Sequence, residues 1–496
     1  MKTGERPLLT SEACAPRPIT LVVFAPFDGD DTLSRYPDDQ TETVKQHPLV
    51  LALAEVADAG VNVCGLIDRA DDESWRIDIP AGGDPCFTSM WKQRMSSPRS
   101  LAGLLAHAMQ QHQGSAVVLS MEGHGAGYLP EIDTAKLAQT QLPKVNGERV
   151  YWVQRPDDEG GAAIWDRKGD SPPLPMNELL LPDGRTPGAD YPMSTWGMGW
   201  ALGEARRRRG GGEKADKIAV VHFNNCFNFS TELLHTIAPH AEYATGYSNY
   251  NFFTAGRSYP AVFRNAQTQR SLSAEALARA LCEGNRDELK KLTRPHPTVG
   301  GMVQLHRMAA IADAVDKLAK ALIAALPAQR PEIAKAILAA QQFDADSSFV
   351  LETPDSLTDL ASLAFALHHA PLGNAVKAAA QTLGATLSKI KVYGDNAKPW
   401  IEPTVQWDFS SDQLAMNIYL PDPDLSGTLD WRAPYYFNTQ PGALPAQPEV
   451  VDFLRNTAWV DFILAYLKGV RFAGLRSPVI PTFPLADQTD DNCKPC

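Results

Sequence analysis

Along the first half of the chain, unbroken apolar runs alternate with stretches whose apolar residues recur every three or four positions. Residues 19–25 are almost wholly apolar and end at Pro26. A run with no polar alternation predicts a central strand buried on both faces. Residues 48–59 set Leu49, Leu51, Leu53 and Val56 at helical spacing, and residues 61–67 predict a second strand ending on Asp68 and Arg69. Residues 99–113 predict a helix, with Ser97 as its cap and Pro98 at the first helical position. Residues 116–120 predict a third strand. The pattern resumes with a helix over 194–209, a strand over 218–223, a helix over 230–237 and a short strand over 243–246. This order implies a mostly parallel sheet with helices on both faces, where chemistry collects beyond the strand C-termini.

The texture changes near residue 270. Alanine- and leucine-rich patterns predict helices over 273–283, 308–326, 332–342, 355–368 and 372–391, a strand over 414–420 and a closing helix over 456–467. The chain therefore divides into an α/β domain over 15–268 and a mainly helical C-terminal region over 269–496. Residues 128–191 interrupt the alternation with a Pro-, Gly- and Asp-rich segment, and loops of such length are commonly functional.

A formal charge of -12 argues against a broad nucleic-acid surface. No stretch reaches the roughly 18 apolar residues of a membrane span. No signal peptide is visible, and seven cysteines without a spacing framework point to reduced thiols, so the expected location is the cytoplasm. Cys64 reads as a core residue. Cys493 and Cys496 form a lone Cys-x-x-Cys, and no metal site is assigned.

Two strand ends carry candidate chemistry. The third strand runs into Glu122-Gly123-His124-Gly125-Ala126-Gly127, and the fourth into Asn224-Asn225-Cys226-Phe227-Asn228 ahead of a helix. A thiol at a strand-to-helix turn and an imidazole between glycines are the parts of a cysteine nucleophile and its base. Each also has a plain structural reading, as a buried free cysteine and as a hydrogen-bonded loop histidine. His222 reads as a core residue, and His235 and His240 as surface residues. The Gly-x-Ser-x-Gly, His-Glu-x-x-His and P-loop patterns are missing from the sequence.

These blocks resemble, in order, those of the clostripain-like cysteine peptidases, relatives of caspases, gingipains and legumains. Leu21 to Leu33 is similar to the family's opening strand and Asp-containing loop. Gly123-His124-Gly125-Ala126-Gly127-Tyr128 resembles its His block, with Ala126 and Tyr128 as departures. Asn224 to Glu232 resembles its Cys block, and Ile418-Tyr419-Leu420-Pro421 its late strand. The resemblance implies a caspase-like α/β/α sandwich. It implies His124 and Cys226 as a catalytic dyad, with the Gly125 and Cys226 amides as the oxyanion hole. It implies hydrolysis of a protein or peptide substrate through an acyl-thioester, with no required cofactor and with calcium as an addition in some members. Maturation by cutting within 128–191 follows from the same likeness.

The family's basic-residue pocket relies on carboxylates. The matching positions here are Asn224, Ser248 and Asn249, and residues 243–256 contain neither Asp nor Glu. A pocket of Asn224, Ser248, Asn249, Tyr250 and Phe252 suits a neutral side chain, because an unpaired buried guanidinium is costly. Arg257 offers the alternative of an acidic one. Two other functions compete: a catalytically silent caspase-like scaffold or binding protein, and a hydrolase or acyltransferase of non-peptide substrates. The helical region is a candidate surface for a regulatory protein partner.

Overall fold

A computed structural model describes residues 18–27, 33, 43–69, 74–90, 93, 95–131, 144–145, 148–149, 193–209, 216–268, 273–291, 297–343, 357–394, 396–397, 407–421, 433–442 and 447–467. The main sheet has strands β1 (Ile19–Pro26), β2 (Asn62–Asp68), β3 (Ser74–Ile79), β4 (Cys86–Ser89), β5 (Ala116–Met121), β6 (Ile218–Phe223), β7 (Ala241–Tyr247) and β8 (Val299–Gln304). Two short strands, β9 (Gln342–Phe343) and β10 (Leu357–Asp359), lie outside it, and β11 (Lys391–Gly394) completes it. Its nine strands run in the order β11-β8-β7-β6-β5-β1-β2-β3-β4. The five strands from β7 to β2 pair in parallel. Antiparallel strands close both edges. The apolar runs behave as their composition requires: Leu21, Val22 and Val23 of β1 are fully buried.

Helices cover both faces. On one side α1 (Pro48–Asp58) packs against α5 (Tyr259–Thr268), which packs against α6 (Ala274–Leu289). On the other side α2 (Pro98–Gln111) packs on α3 (Thr195–Arg209), then comes α4 (Thr231–Ile237), then α7 (Met308–Ala339). Local signals set the helix starts. Ser97 Oγ accepts from the Arg99 amide at 3.3 Å, and Ser230 Oγ accepts from the Leu233 amide at 3.3 Å. At α1 the cap is His47, whose Nδ1 accepts from the Leu49 amide at 3.2 Å while Nε2 faces the Leu33 carbonyl at 2.8 Å.

Several elements depart from the sequence expectation. β3, β4, α5, β8 and β11 were not expected. The two helices expected over 308–326 and 332–342 are there as the two arms of Met308–Ala339, separated by non-helical backbone at Gln329 between Pro327 and Pro331, and the second arm ends at Ala339, short of 342. His235 and His240 are half-buried, not on the surface. The latter's ring lies against Gly203 of α3, where a Cβ would come within 2.9 Å of its Cε1.

The C-terminal half supplies more than helices. β8 and β11 join the main sheet, so that sheet runs across position 268. β9, β10 and β12 (Asn417–Tyr419) form a second, antiparallel sheet. Its Asn417 forms an isolated parallel bridge with Ser230, the cap of α4. Between β10 and β11 lie α8 (Leu360–His369) and α9 (Asn374–Leu387), and α10 (Trp459–Leu467) is the last described helix. No helix among the described residues is long and apolar enough to cross a membrane.

Candidate active site

β5 and β6 are adjacent and parallel, with Met121 opposite Phe223. The loops that follow them therefore leave the same edge of the sheet. Gly123 and Gly127 adopt φ of 85° and 70°, left-handed values that glycine takes without strain. Gly125 answers a different demand. A Cβ there would sit 2.1 Å from the Cys226 carbonyl oxygen and 2.9 Å from Asn228 Nδ2. Only a bare backbone lets the two loops touch.

Asparagines stitch that contact. Asn225 Nδ2 donates to the His124 carbonyl at 3.4 Å, and the Gly127 amide donates to Asn228 Oδ1 at 3.2 Å. Asn228 Nδ2 donates to Asn225 Oδ1 at 2.9 Å. His124, partly exposed, and Cys226, fully buried, are carried by these joined turns. The Cys226 thiol donates to the Asn251 carbonyl at 3.2 Å and its sulfur accepts the Asn251 amide at 3.3 Å. The Gly125 and Cys226 amides are uncommitted among the described residues.

Phe227 has φ of 56°, an uncommon value for a bulky residue, and the surroundings fix it. Its amide donates to the Asn249 carbonyl at 3.1 Å. Asn417 Nδ2 donates to the Phe227 carbonyl at 2.7 Å and to the Ser248 carbonyl at 2.9 Å. The Phe227 ring meets Tyr250 edge to face at 4.9 Å. The nucleophile turn is thus clamped between the loop after β7 and the start of β12.

A buried polar network backs both loops. Glu122, 1% exposed, accepts from Ser120 Oγ at 2.8 Å, from Asn224 Nδ2 at 2.8 Å and from the Tyr259 hydroxyl. Asn251 Nδ2 donates to Asn224 Oδ1 at 3.0 Å. One chain of bonds therefore runs from the residue two before His124, through the residue two before Cys226, to the residue that holds the thiol. Burial pushes the Glu122 carboxyl above its usual range, and the Tyr259, Ser120 and Asn224 donors oppose that shift. His222 is a core residue, as expected, bonded to Thr245 Oγ1 at 2.6 Å and pushed down to about 3 by burial.

The expected pocket residues Asn224, Ser248, Asn249, Tyr250 and Phe252 are all buried near this turn or in the segment that backs it. Asn224 is fully engaged, and Ser248 Oγ donates to the Ala415 carbonyl at 3.5 Å. Asn249 is different: its carboxamide nitrogen and oxygen are both buried with no hydrogen-bond partner among the described residues. Arg257 is exposed. Sequence reasoning missed Asn225, Asn228, Asn251, Glu122 and Asn417 as parts of the site. The signal available was the density of asparagine around Cys226 and after β7. Two open cavities of about 610 Å³ each lie against α8, α9 and the start of α7, and touch none of these residues. Most of the 128–191 segment and the Asp28-Gly29-Asp30-Asp31 loop fall outside the described residues.

No family model matches the sequence, and no curated protein does. Solved structures do. A secreted C11 cysteine protease from Bacteroides thetaiotaomicron, "iotapain", is 10% identical, with a TM-score of 0.51 over 82% of this chain and 94% of that one. An inactive zymogen C11 protease from Parabacteroides distasonis is 11% identical, with a TM-score of 0.48 over 85% and 98%. With its parallel core, helices on both faces and helical C-terminal half, this chain has the fold of the clostripain-like C11 cysteine proteases.

Proposed function

We propose that the chain is a cysteine endopeptidase with Cys226 as nucleophile and His124 as general base and acid. The observation that carries this reading is the backbone contact of the His124 and Cys226 loops, which allows only glycine at position 125. In the proposed reaction His124 takes the Cys226 proton and the sulfur attacks the scissile carbonyl carbon. The Gly125 and Cys226 amides, free of other partners among the described residues, receive the oxyanion. His124 returns the proton to the leaving amine. Water, deprotonated by the same imidazole, then hydrolyses the thioester. The Asn251 amide on Sγ supports the thiolate.

The reading includes a primary pocket that does not prefer Arg or Lys. Glu122 bonds Asn224, yet it is buried and both of its oxygens are engaged by Ser120, Tyr259 and Asn224. The unpartnered Asn249 carboxamide, with one donor and one acceptor face, suits a neutral polar group. Cys226 has no exposed surface, so the described state is read as latent. Opening by a cut within 128–191 is part of the proposal, as are a cytoplasmic setting and a regulatory partner. The four described cysteines are all free, in keeping with a reducing compartment.

A silent scaffold is the second reading, and the burial of Cys226 is what favours it. A peptide library varied at P1 decides between them. It is incubated with intact and proteolytically nicked protein, with and without calcium, beside Cys226→Ala. Turnover lost in the variant, with neutral P1 residues preferred, is the expected result. A profile led by Arg or Lys refutes the specificity. No turnover from either form refutes the peptidase.

A further inference from the structure

On the other side of the sheet's parallel core, three donor atoms from separate elements converge. Cys64 of β2 stands opposite Asp78 of β3, and Asp78 stands opposite Cys86 of β4. Directly opposed residues share a sheet face, so a thiol, a carboxylate and a second thiol form a row. The face is the one covered by α2, whose His107 puts Nε2 at 2.8 Å from Asp78 Oδ1. One ligand atom each from Cys64, Asp78 and His107 lie within 4.8 Å of one another. Asp78 Oδ2 meanwhile accepts from Arg76 Nε at 2.8 Å.

We infer that Cys64, Asp78 and His107 form a binding site for a zinc-class divalent cation. A mixed sulfur, nitrogen and oxygen set is a zinc donor set. Bonds of about 2.0–2.3 Å in a tetrahedron place ligand atoms roughly 3.4–3.8 Å apart, so Asp78 Oδ1 and His107 Nε2 open from 2.8 Å to admit the ion, with all three atoms starting within 4.8 Å of one another. Cys64 binds as thiolate and gives its proton to solvent, and His107 binds through the neutral ring's Nε2. Asp78 binds through Oδ1 and keeps Arg76 on Oδ2, the outer partner that orients a ligating carboxylate. Water fills the fourth position. The Asp78 and His107 side chains are each 24% exposed, which gives an ion its entry. The bound cation fastens the antiparallel β2–β3 edge to α2. Spacings of 14 and 29 residues between ligands match no short motif, so only the fold reveals the group. The inference is independent of peptidase activity.

The test is titration of chelator-stripped full-length protein with Co²⁺, followed by displacement with Zn²⁺. The expected result is one equivalent of Co²⁺ with near-ultraviolet thiolate-to-cobalt absorption. That band disappears in Cys64→Ser and weakens at least tenfold in affinity in His107→Ala. Metal-free circular dichroism of His107→Ala, matching wild type at a temperature below its melting, separates ligand loss from misfolding. Cys226→Ala and the Cys493→Ser/Cys496→Ser pair keep the band. No thiolate band, or one that survives both Cys64→Ser and His107→Ala, or one that follows Cys226 or the C-terminal pair, overturns the inference.

Discussion

Single atoms decide the chemistry at the two turns. A methyl group at position 125 would overlap the Cys226 carbonyl oxygen at 2.1 Å. Gly125→Ala therefore forces the loops apart, and its expected effect is loss of turnover by at least tenfold in kcat, with Cys226 still present to titrate. Unchanged kcat would show that the loop contact is incidental. Glu122→Gln keeps shape but replaces an all-acceptor group with one that also donates, opposite the donors of Ser120, Tyr259 and Asn224. An unsatisfied buried donor costs about 1–3 kcal/mol, which urea unfolding would register, together with a fall in kcat at similar KM. At this scale the sequence was legible where local order suffices. His124 and Cys226 stand at the ends of apolar runs, so both are readable. Asn225, Asn228 and Asn251 acquire meaning only from partners that the fold brings to them across as many as 101 positions.

Elements followed the same division. Long apolar runs such as β1 and β6 were readable because they are buried on both faces. β8 was not, because its Val-Gly-Gly-Met pattern carries little strand signal. The glycines are there for space: a Cβ at Gly300 would lie 2.9 Å from the Tyr247 ring, and one at Gly301 2.8 Å from Phe229. β3 hides its strand character in Arg76 and Asp78, which pair with each other, Asp78 also pairing with His107. β6 also carries a pH liability. Burial lowers His222 to about 3, from an unfolded value near 6.5, so the fold prefers the neutral ring. This stability is complete above about pH 6.5 and is lost as pH falls toward 3, by about 2 kcal/mol at pH 5. Asp359, raised to about 7 by burial, acts with the opposite sign. A comparison with His222→Gln isolates the histidine. The stability difference between wild type and variant should move by about 2 kcal/mol in the variant's favour between pH 7.5 and 5. A pH-independent difference would contradict the assignment.

The whole molecule is held to its site by the C-terminal half. Asn417 ties the Phe227 and Ser248 carbonyls, and Glu232 accepts from the Tyr419 amide at 2.9 Å and the Tyr436 hydroxyl at 2.8 Å. Strand β12 and the nucleophile turn therefore support one another. Asn417→Ala leaves two buried carbonyls without that donor, at a cost of about 1–3 kcal/mol, and it should lower kcat although the residue lies 191 positions after Cys226. Equal kcat in Asn417→Ala would disconnect the late strand from the turn. The late strand was legible as a pattern, but its place beside Cys226 was not, since a pairing of that sequence separation leaves no local trace. The most direct test of the account is covalent. The intact and nicked chains are treated with a mixture of neutral-P1 peptidyl electrophiles, and the modified cysteine is located by mass spectrometry. The account predicts one adduct, on Cys226, faster after nicking and suppressed in His124→Ala. An adduct that ignores His124, or none on Cys226 in either form, would contradict it.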